Sequence, residues 1–438
     1  MPASTALLTD RYELTMIEAA LRDGTADRRC VFELFARRLP GGRRFGVVAG
    51  TGRLLGLLAD FRFGDDELRF LRDRGVVDAD TLARLAAFRF HGSITGYREG
   101  ELYFPGSPVL TVEGTFVEAV VLETLALSVL NYDSAVATAA ARMSIAAGER
   151  PLAEMGSRRA GEQSAVAAAR AAYIAGFGST SNLEAGRRWD VPTMGTAAHA
   201  WTLLHDSEED AFRAQIAAQG VGTTLLVDTY DIRTGVETAI RVAGTDLGGV
   251  RIDSGDLPVV AAEVRAILDG LGAVNTRITV TSDLDEYSLA ALAASPVDAY
   301  GVGTSVVTGS GSPTAGMVYK LVARQDDAGG WVPVAKASPE KATTGGRKAA
   351  FRRLVDGTAE AEVIAVADGF EELETVTQHP DSRALQVALV QAGVVDERAT
   401  GPEGVRAARA HHAAVRSELP VTALGFSRSD PAIPTRYV

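Results

Sequence analysis

Residues 249–257 read Gly-Val-Arg-Ile-Asp-Ser-Gly-Asp-Leu, a short apolar run that ends in a polar, glycine-containing loop. A helical pattern follows from Leu257 to Asp269. The same order of apolar run, loop and helical stretch recurs on both sides, in residues 225–243 and 278–294, and residues 299–302 form one more apolar run. This alternation is typical of a parallel sheet with crossover helices, either open or closed into a barrel.

Polar residues of types that serve in catalysis or ligand binding lie at the ends of the apolar runs. A barrel gathers the carboxyl ends of all its strands around one mouth, whereas an open sheet gathers only those near its switch point. Seven such polar ends therefore favour a barrel. They are residues 154–159, 178–182, 195–199, 228–231, 253–256, 282–286 and 303–304.

The flanking segments have a different pattern. Short apolar runs broken by Pro and Gly in residues 30–50 and 88–115 predict antiparallel strands. Residues 117–131 and 135–147 predict two helices. After residue 309 we expect two strands and then two helices, near residues 318–323, 359–367, 382–392 and 403–419.

Together these patterns predict an α/β protein, an irregular α/β barrel with a second α+β domain built from the N- and C-terminal segments. We assign residues 1–130 to the N-terminal α+β domain and residues 131–310 to the α/β barrel. Residues 311–438 are expected to return and complete the first domain.

The composition excludes several classes of protein. Hydrophobic residues make up 46% of the 438 residues, which excludes a mainly disordered chain. The 44 basic and 56 acidic residues give a net charge of −12, so no basic surface for nucleic acid is expected. No signal segment is visible, and Glu118 and Glu123 interrupt the apolar stretch 117–130, so we expect no membrane span. The single cysteine, Cys30, allows no intramolecular disulfide, and we expect a cytoplasmic protein.

The residues at the strand ends suit a phosphorylated, anionic substrate. Arg158 and Arg251 offer guanidinium groups that bind phosphate or carboxylate through paired hydrogen bonds. The glycines of residues 301–304 let backbone N–H groups approach phosphate oxygens, and His199 also stands at a strand end. Two plainer interpretations stay open, a simple turn at the glycines and a helix cap in residues 253–256.

The lysines are unusually clustered. All four, Lys320, Lys336, Lys341 and Lys348, lie within 29 residues, although arginine is the basic residue almost everywhere else. A locally different surface is one explanation. A site that requires a compact ammonium group is the other, and it makes Lys341 and Lys348 candidates for a mobile phosphate-binding loop.

Eight ordered motifs extend over most of the chain. They are residues 9–16 (TDRYELTM), 154–160 (EMGSRRA), 179–182 (STSN), 195–199 (GTAAH), 250–257 (VRIDSGDL), 301–304 (GVGT), 319–322 (YKLV) and the lysine segment 336–352. Through these motifs the sequence resembles the nicotinate phosphoribosyltransferase family, the type II phosphoribosyltransferases of NAD salvage. The combination is far more specific than any single motif.

The resemblance implies a two-domain enzyme that works as a head-to-tail homodimer with residues of both subunits in each site. The implied reaction joins nicotinate to 5-phosphoribosyl 1-diphosphate, giving nicotinate mononucleotide and diphosphate, with ATP as co-substrate. ATP cleavage would be coupled through a phosphohistidine. Mg²⁺ would be carried with the diphosphate or ATP rather than by a dedicated protein site.

The resemblance also implies roles for individual residues. ATP would phosphorylate His199, whose imidazole is partly neutral at cytosolic pH and can attack a γ-phosphoryl group. Tyr12 would stack on the pyridine ring from the neighbouring subunit, while Thr196 and Arg251 would hold the nicotinate carboxylate. The residues expected to bind phosphoribosyl diphosphate are Arg158, Asp253, Ser254, Gly303 and Thr304.

Two positions depart from the family pattern or bear on the choice of substrate. Residues 345–348 read Gly-Gly-Arg-Lys where the family usually has Pro-Gly before its last lysine. Ser181 replaces an acidic residue of the nicotinamide-using relatives, which fits an acid substrate. The alternatives are a nicotinamide phosphoribosyltransferase, a catalytically silent ligand-binding homologue and a barrel isomerase of phosphorylated sugars.

Overall fold

The chain divides into two compact units. Unit 1 consists of residues 1–138 and 312–438, and unit 2 of residues 139–311. Unit 1 is therefore built from both terminal segments, whereas unit 2 is one continuous stretch. The structure, a computed structural model, describes residues 4–336, 343–367 and 381–438.

The N-terminal part of unit 1 combines short strands with helices. The strands are β1 (Arg29–Ala36), β2 (Gly46–Val47), β3 (Ser93–Tyr97), β4 (Leu102–Tyr103) and β5 (Leu110–Thr115). The helices are α1 (Arg11–Asp23), α2 (Thr51–Ala59), α3 (Asp65–Asp73), α4 (Ala79–Ala86), α5 (Phe116–Val120) and α6 (Glu123–Ala147). Helix α6 contains the boundary between the units.

Helix α6 corrects the prediction of two helices separated near residue 133. The polar residues that suggested a break lie inside one continuous helix. Asp133 is buried and accepts two hydrogen bonds from Arg53, at 2.8 and 3.0 Å. The Ser134 hydroxyl accepts the N–H of Ala49 at 3.1 Å. Because these partners satisfy the buried polar groups, the helix continues through them at little cost.

The helical segment 116–147 is long and apolar enough to cross a membrane by length and composition alone. However, 67% of its most apolar window is buried inside the protein. Burial on this scale is typical of a core helix, which is apolar on most of its surface.

Unit 2 alternates strand and helix. The strands are β6 (Leu152–Glu154), β7 (Ser179–Thr180), β8 (Thr224–Leu226), β9 (Gly249–Ile252), β10 (Arg277–Val280) and β11 (Ala299–Val302). The helices are α7 (Glu162–Ile174), α8 (Leu183–Trp189), α9 (His199–Leu203), α10 (Glu208–Gln219), α11 (Ile232–Ala243), α12 (Leu257–Gly270), α13 (Glu286–Ala291) and α14 (Thr304–Val307). Within residues 139–311, all of them described, the strand order is β7, β6, β11, β10, β9, β8, and every pairing is parallel.

This sheet curls into a half-barrel. At one edge, Thr193 forms an isolated parallel bridge with Thr180 of β7. The segment that follows, residues 195–199, contacts Arg251 and Asp228 at the other edge through side chains. The predicted fold class, α/β with an irregular barrel and a second α+β domain, is confirmed. The barrel is a half-barrel, and side-chain contacts of residues 195–199 span the opening between its two edges.

The C-terminal segment adds strands to unit 1. They are β12 (Met317–Gln325), β13 (Trp331–Pro333), β14 (Arg347–Val355), β15 (Thr358–Ala367), β16 (Ser382–Ala384), β17 (Gln386–Gln391), β18 (Val394–Val395) and β19 (Thr435–Tyr437), with helix α15 (Gly401–Arg416) between the last two. Among the described residues, one sheet has the order β13, β12, β1, β5, β3, β17, β18 and another the order β16, β14, β15, β19. Strand β1 thus pairs with β5 from the N-terminal segment and β12 from the C-terminal segment.

The prediction of a helix in residues 382–392 is wrong, because this segment forms β16 and β17. Its Ala, Leu and Gln residues favour a helix locally, but β17 pairs with β3 and buries Leu389 and Val390 in the core of unit 1. Pairing with a sheet edge therefore outweighs local propensity. The second predicted helix is present as α15.

A buried ion pair cross-links the segments of unit 1. The Arg352 Nη2 on β14 donates to Glu362 on β15 at 2.8 Å, and to the backbone carbonyl of Leu102 on β4 at 2.9 Å. Both charged side chains are fully buried. Glu362 also accepts the Tyr97 hydroxyl at 2.6 Å. Since a buried charge without a partner is costly, this network favours one arrangement of the terminal segments.

We predict that Arg352→Ala lowers the free energy of unfolding by about 3–5 kcal/mol, because Glu362 is left as an unpaired buried charge. The matched control is Arg353→Ala on the same strand, which breaks a pair with Glu360 at 2.9 Å whose side chains are more than 40% exposed. The control should cost less than about 1 kcal/mol. Urea unfolding midpoints measure both, and equal losses would contradict the prediction.

Candidate active site

The carboxyl ends of the unit 2 strands meet at one edge of the half-barrel and line a cleft of about 220 Å³. Five residues predicted for the site line this cleft, namely Arg158, Arg251, Asp253, Gly303 and Thr304. The other lining residues are Met155, Arg159, Thr281, Ser282, Asp283 and Gly301. The cleft thus brings cationic side chains together with hydroxyl, carboxylate and glycine backbone groups, as a phosphorylated ligand requires.

Arg251, on β9, is held against the loop that follows the Thr193 bridge. Its Nη1 donates to the hydroxyl of Thr196, while its Nε is buried and has no hydrogen-bond partner among the residues that the structure describes. Burial lowers the pKa of Arg251, the charges of Asp253 and Asp228 partly oppose this shift, and the neighbouring Arg158 adds to it. A cation in these surroundings favours an anionic ligand.

His199 is the first residue of α9, and a buried carboxylate orients it. Its Nε2 lies 3.2 Å from Oδ1 of Asp228, whose side chain is fully buried. The other oxygen of Asp228 accepts the backbone N–H of Asp253 at 2.8 Å and the hydroxyl of Ser254 at 2.7 Å. A carboxylate accepts hydrogen bonds, so Nε2 donates to Asp228 and the lone pair lies on Nδ1.

Asp228 was not among the predicted site residues, although its position close after β8 is the signal that could have identified it. Ser254, predicted to bind phosphoribosyl diphosphate, instead uses its hydroxyl to bind Asp228. Asp253 instead accepts the hydroxyl of Thr281 at the end of β10. Asp228 therefore connects His199 with the loop that carries Asp253.

Two glycines allow the loops of the cleft to approach each other. A Cβ on Gly156 would lie 2.2 Å from Val307 and 2.7 Å from the carbonyl oxygen of Gly303. A Cβ on Gly301 would lie 2.6 Å from Thr281 and 2.7 Å from Met155. The glycine loop is therefore more than a simple turn, because it packs directly against the turn that carries Arg158.

Ser282 carries backbone strain at the edge of the cleft. Its φ of 143° lies in a region that residues other than glycine rarely adopt, and such conformations cost about 1–3 kcal/mol each. The neighbouring Asp283 contributes a carboxylate to the same cleft. Residues 282–286 were predicted to be a polar strand end, but neither Ser282 nor Asp283 was among the predicted site residues.

Tyr12 lies in unit 1, on α1, and its side chain is partly exposed, at 46%. The opposite face of α1 is anchored in unit 1 by the buried residues Leu14 and Ile17. Burial, followed by the charges of Glu123 and Glu13, raises the pKa of Tyr12 to about 12. The phenol therefore stays protonated at neutral pH and offers a neutral aromatic face.

The lysine cluster does not form one site among the described residues. Lys348 is not in a loop, because it lies on β14 with its ammonium buried and paired to Glu33 at 2.9 Å. This corrects its assignment to a mobile loop. Lys320 is 3.8 Å from Glu123, and Lys336 is exposed. Lys341 lies outside the described residues, and its phosphate contact stays a prediction.

The acidic residues do not form a dedicated metal cage. No group of three or more His, Cys, Asp or Glu side chains with suitable placement occurs in the described part of the chain. The cleft nevertheless holds the carboxylates of Asp253 and Asp283. A pair of carboxylates suits Mg²⁺ that keeps most of its ligands from substrate oxygens and water.

Comparison with known proteins identifies the family. Residues 7–131 match the family model described as nicotinate phosphoribosyltransferase (NAPRTase) N-terminal domain. The chain is 39% identical over 378 residues to nicotinate phosphoribosyltransferase of Bacillus subtilis, covering 83% of this chain and 77% of the relative. The fold matches a crystal structure of human nicotinic acid phosphoribosyltransferase with a TM-score of 0.82, 28% identity and coverage of 98% and 97% of the two chains.

A further relative matches over almost the whole length. Nicotinate phosphoribosyltransferase pncB1 of Mycobacterium tuberculosis is 55% identical over 441 residues, which cover 99% of this chain and 95% of the relative. The half-barrel, the cleft and the eight motifs lie within this span. On this identity and coverage, the chain belongs to the nicotinate phosphoribosyltransferase family.

Proposed function

We propose that this chain is an ATP-coupled nicotinate phosphoribosyltransferase of NAD salvage, whose coupling group is His199. The observation that carries the proposal is the position of Asp228. This carboxylate holds His199 on one side and the Asp253–Ser254 loop of the cleft on the other. A group that could take phosphate from ATP is thus connected to the loop that would bind ribose.

Arg251 and Thr196 form the proposed site for the nicotinate carboxylate. The guanidinium donates to Thr196, and its buried Nε has no hydrogen-bond partner among the described residues. A carboxylate would supply both the charge and the acceptor, whereas an amide would supply no charge. This argues for nicotinate over nicotinamide.

In the transfer step, the ring nitrogen of nicotinate forms a bond to C1 of the ribose while the bond from C1 to the diphosphate oxygen breaks. Arg158 would stabilise the charge on the departing diphosphate, and Asp253 would bind the ribose hydroxyls. Gly303 and Thr304, which lie on the same cleft, would hold the 5′-phosphate. Mg²⁺ brought with the diphosphate would neutralise part of its charge, and Asp253 and Asp283 are the residues that would hold it.

In the coupling step, Nδ1 of His199 attacks the γ-phosphorus of ATP, and the bond to the ADP oxygen breaks. Nε2 keeps its proton and donates a hydrogen bond to Asp228, whose negative charge stabilises the positive charge that develops on the ring. Water later cleaves the phosphorus–nitrogen bond, releasing phosphate and restoring the imidazole. The free energy of ATP hydrolysis thereby draws the transfer towards the mononucleotide.

We infer further that the working form is a cytoplasmic homodimer. Tyr12 has a partly exposed, neutral ring on an anchored helix, which suits stacking on a pyridine ring bound by a neighbouring subunit. The buried, unpaired thiol of Cys30 fits a reducing compartment. A silent ligand-binding homologue is disfavoured because His199, Asp228 and Arg251 retain the complete set of contacts described above.

His199→Ala should keep the fold and reduce nicotinate-dependent ATP hydrolysis to background, leaving a weak ATP-independent transfer. The reason is that the imidazole couples ATP and does not cleave the bond to diphosphate. ADP release and mononucleotide formation are measured with and without nicotinate. His205→Ala is the control, since the contacts of His205 are to Trp201, through the carbonyl at 2.9 Å and edge-on against the ring, and His205 has no proposed role in the reaction. ATP stimulation and an acid-labile phosphoryl adduct in His199→Ala would refute the assignment.

Arg251→Lys should raise the KM for nicotinate about ten- to a hundredfold, with much less effect on that for phosphoribosyl diphosphate. A point-charge ammonium loses one of two charge-assisted hydrogen bonds of roughly 1.5–3 kcal/mol each. Steady-state kinetics with each substrate varied in turn measure the difference. Arg277→Lys, at the exposed start of β10, is the matched control. An unchanged KM for nicotinate would move the carboxylate site elsewhere.

Tyr12→Ala and His199→Ala should each be nearly inactive alone but complement each other when mixed and reassociated. In a mixed head-to-tail dimer one site receives both changes and the other receives neither. Equal amounts should therefore recover about a quarter of the wild-type ATP-coupled activity, by random pairing of subunits. Each variant reassociated with itself is the control. Recovery no greater than the sum of the two single variants would contradict shared sites.

A further inference from the structure

The turn that carries the diphosphate arginine needs support from outside itself. Ser157–Arg159 form one turn of 3₁₀ helix directly after β6, and the side chains of Arg158 and Arg159 are both exposed. Exposed arginines have considerable rotamer freedom, which binding must remove. The position of the guanidinium therefore depends on how firmly the backbone of this turn is held.

Asn182 supplies the first support. Its Oδ1 accepts the N–H of Ala185 and caps α8, at 2.9 Å. This cap fixes the orientation of the amide and points its Nδ2 at Ser157, to whose hydroxyl it donates at 2.9 Å. One side chain thus stabilises a helix start and holds the arginine turn.

Glu154, the last residue of β6, supplies the second support. Its carboxylate is fully buried and accepts the N–H of Gly156, the residue before the turn. The other oxygen accepts the hydroxyl of Thr180, at 2.5 Å. The same hydroxyl accepts the N–H of Asn182 at 3.0 Å, so the two supports join.

The connection extends to the other wall of the site. The N–H of Thr180 donates to the carbonyl of Pro192, and its carbonyl accepts the N–H of Met194, both at 2.9 Å. Residues 195–199, which carry Thr196 and His199, follow immediately. Thr180 therefore stands between the arginine turn and the segment that carries the proposed nicotinate and phosphohistidine residues.

We propose that Glu154, Thr180, Asn182 and Ser157, here called the polar bridge, position Arg158 for the diphosphate of phosphoribosyl diphosphate. They are positioning residues, since they act through the turn. The proposal rests on the proposed function and deepens it. The polar bridge preorganises the turn that carries the Arg158 guanidinium, so that less conformational freedom is lost when the substrate binds.

The test replaces Asn182 by Ser. Serine caps a helix about as well as asparagine, but it is too short to reach Ser157, so the bridge breaks while the cap remains. The KM for phosphoribosyl diphosphate should rise about three- to tenfold, as for the loss of one hydrogen bond. The KM for nicotinate should stay within about twofold. Ser157→Ala should have the same effect, and the double variant should be no worse than either single one, because both remove one interaction.

Two further variants separate the explanations. Asp78→Ala, in unit 1, removes both the cap on Thr81 of α4 and an ion pair with Arg22, and should lower stability without changing either KM. Arg158→Ala should raise the KM for phosphoribosyl diphosphate more than any bridge variant. If the KM for phosphoribosyl diphosphate is raised in Arg158→Ala but normal in Asn182→Ser, the role of the polar bridge is overturned and the role of Arg158 stands. A wild-type enzyme that does not convert nicotinate would overturn the proposed function. An unchanged KM for phosphoribosyl diphosphate in Arg158→Ala would overturn both the role of Arg158 and the role of the polar bridge.

Discussion

A carboxylate shut away from water must be hydrogen-bonded, and the site of unit 2 is organised around meeting this requirement for Asp228. One of its oxygens faces His199, and the other takes two hydrogen bonds from the loop after β9. Its partners come from strand ends that are distant in sequence. Satisfying one buried charge therefore holds His199, the loop of Asp253 and Ser254, and residues 195–199 in one arrangement.

In unit 1, buried charges are likewise satisfied, here by pairing with a side chain of opposite charge. Arg352 is buried against Glu362 on the neighbouring strand, and Lys348 is buried against Glu33, which lies on a strand of the N-terminal segment. The Lys348 ammonium also donates to the Gly346 carbonyl at 3.4 Å. One member of the lysine cluster is thus explained by packing within the sheet.

The parallel sheet could be predicted from sequence because each strand and its polar end lie within about ten residues. Arg251 and Thr196 could be named as partners because both belong to recognisable motifs, and the structure joins them by a hydrogen bond. What could not be predicted depends on partners far along the chain. Lys348 pairs with Glu33, which lies 315 positions away, and β17 pairs with β3. The importance of Asp228 comes from its contacts with His199 and Ser254.

The interleaving of β1 between β5 and β12 has a consequence for synthesis on the ribosome. The nascent chain presents β1 early, but its second neighbour emerges only after the whole of unit 2, a delay on the order of tens of seconds at typical elongation rates. During that interval unit 2, being continuous, can fold by itself, while one edge of β1 has no partner. An open strand edge is prone to pair with other chains. Translation speed through unit 2 and access to chaperones should therefore affect the yield of this protein.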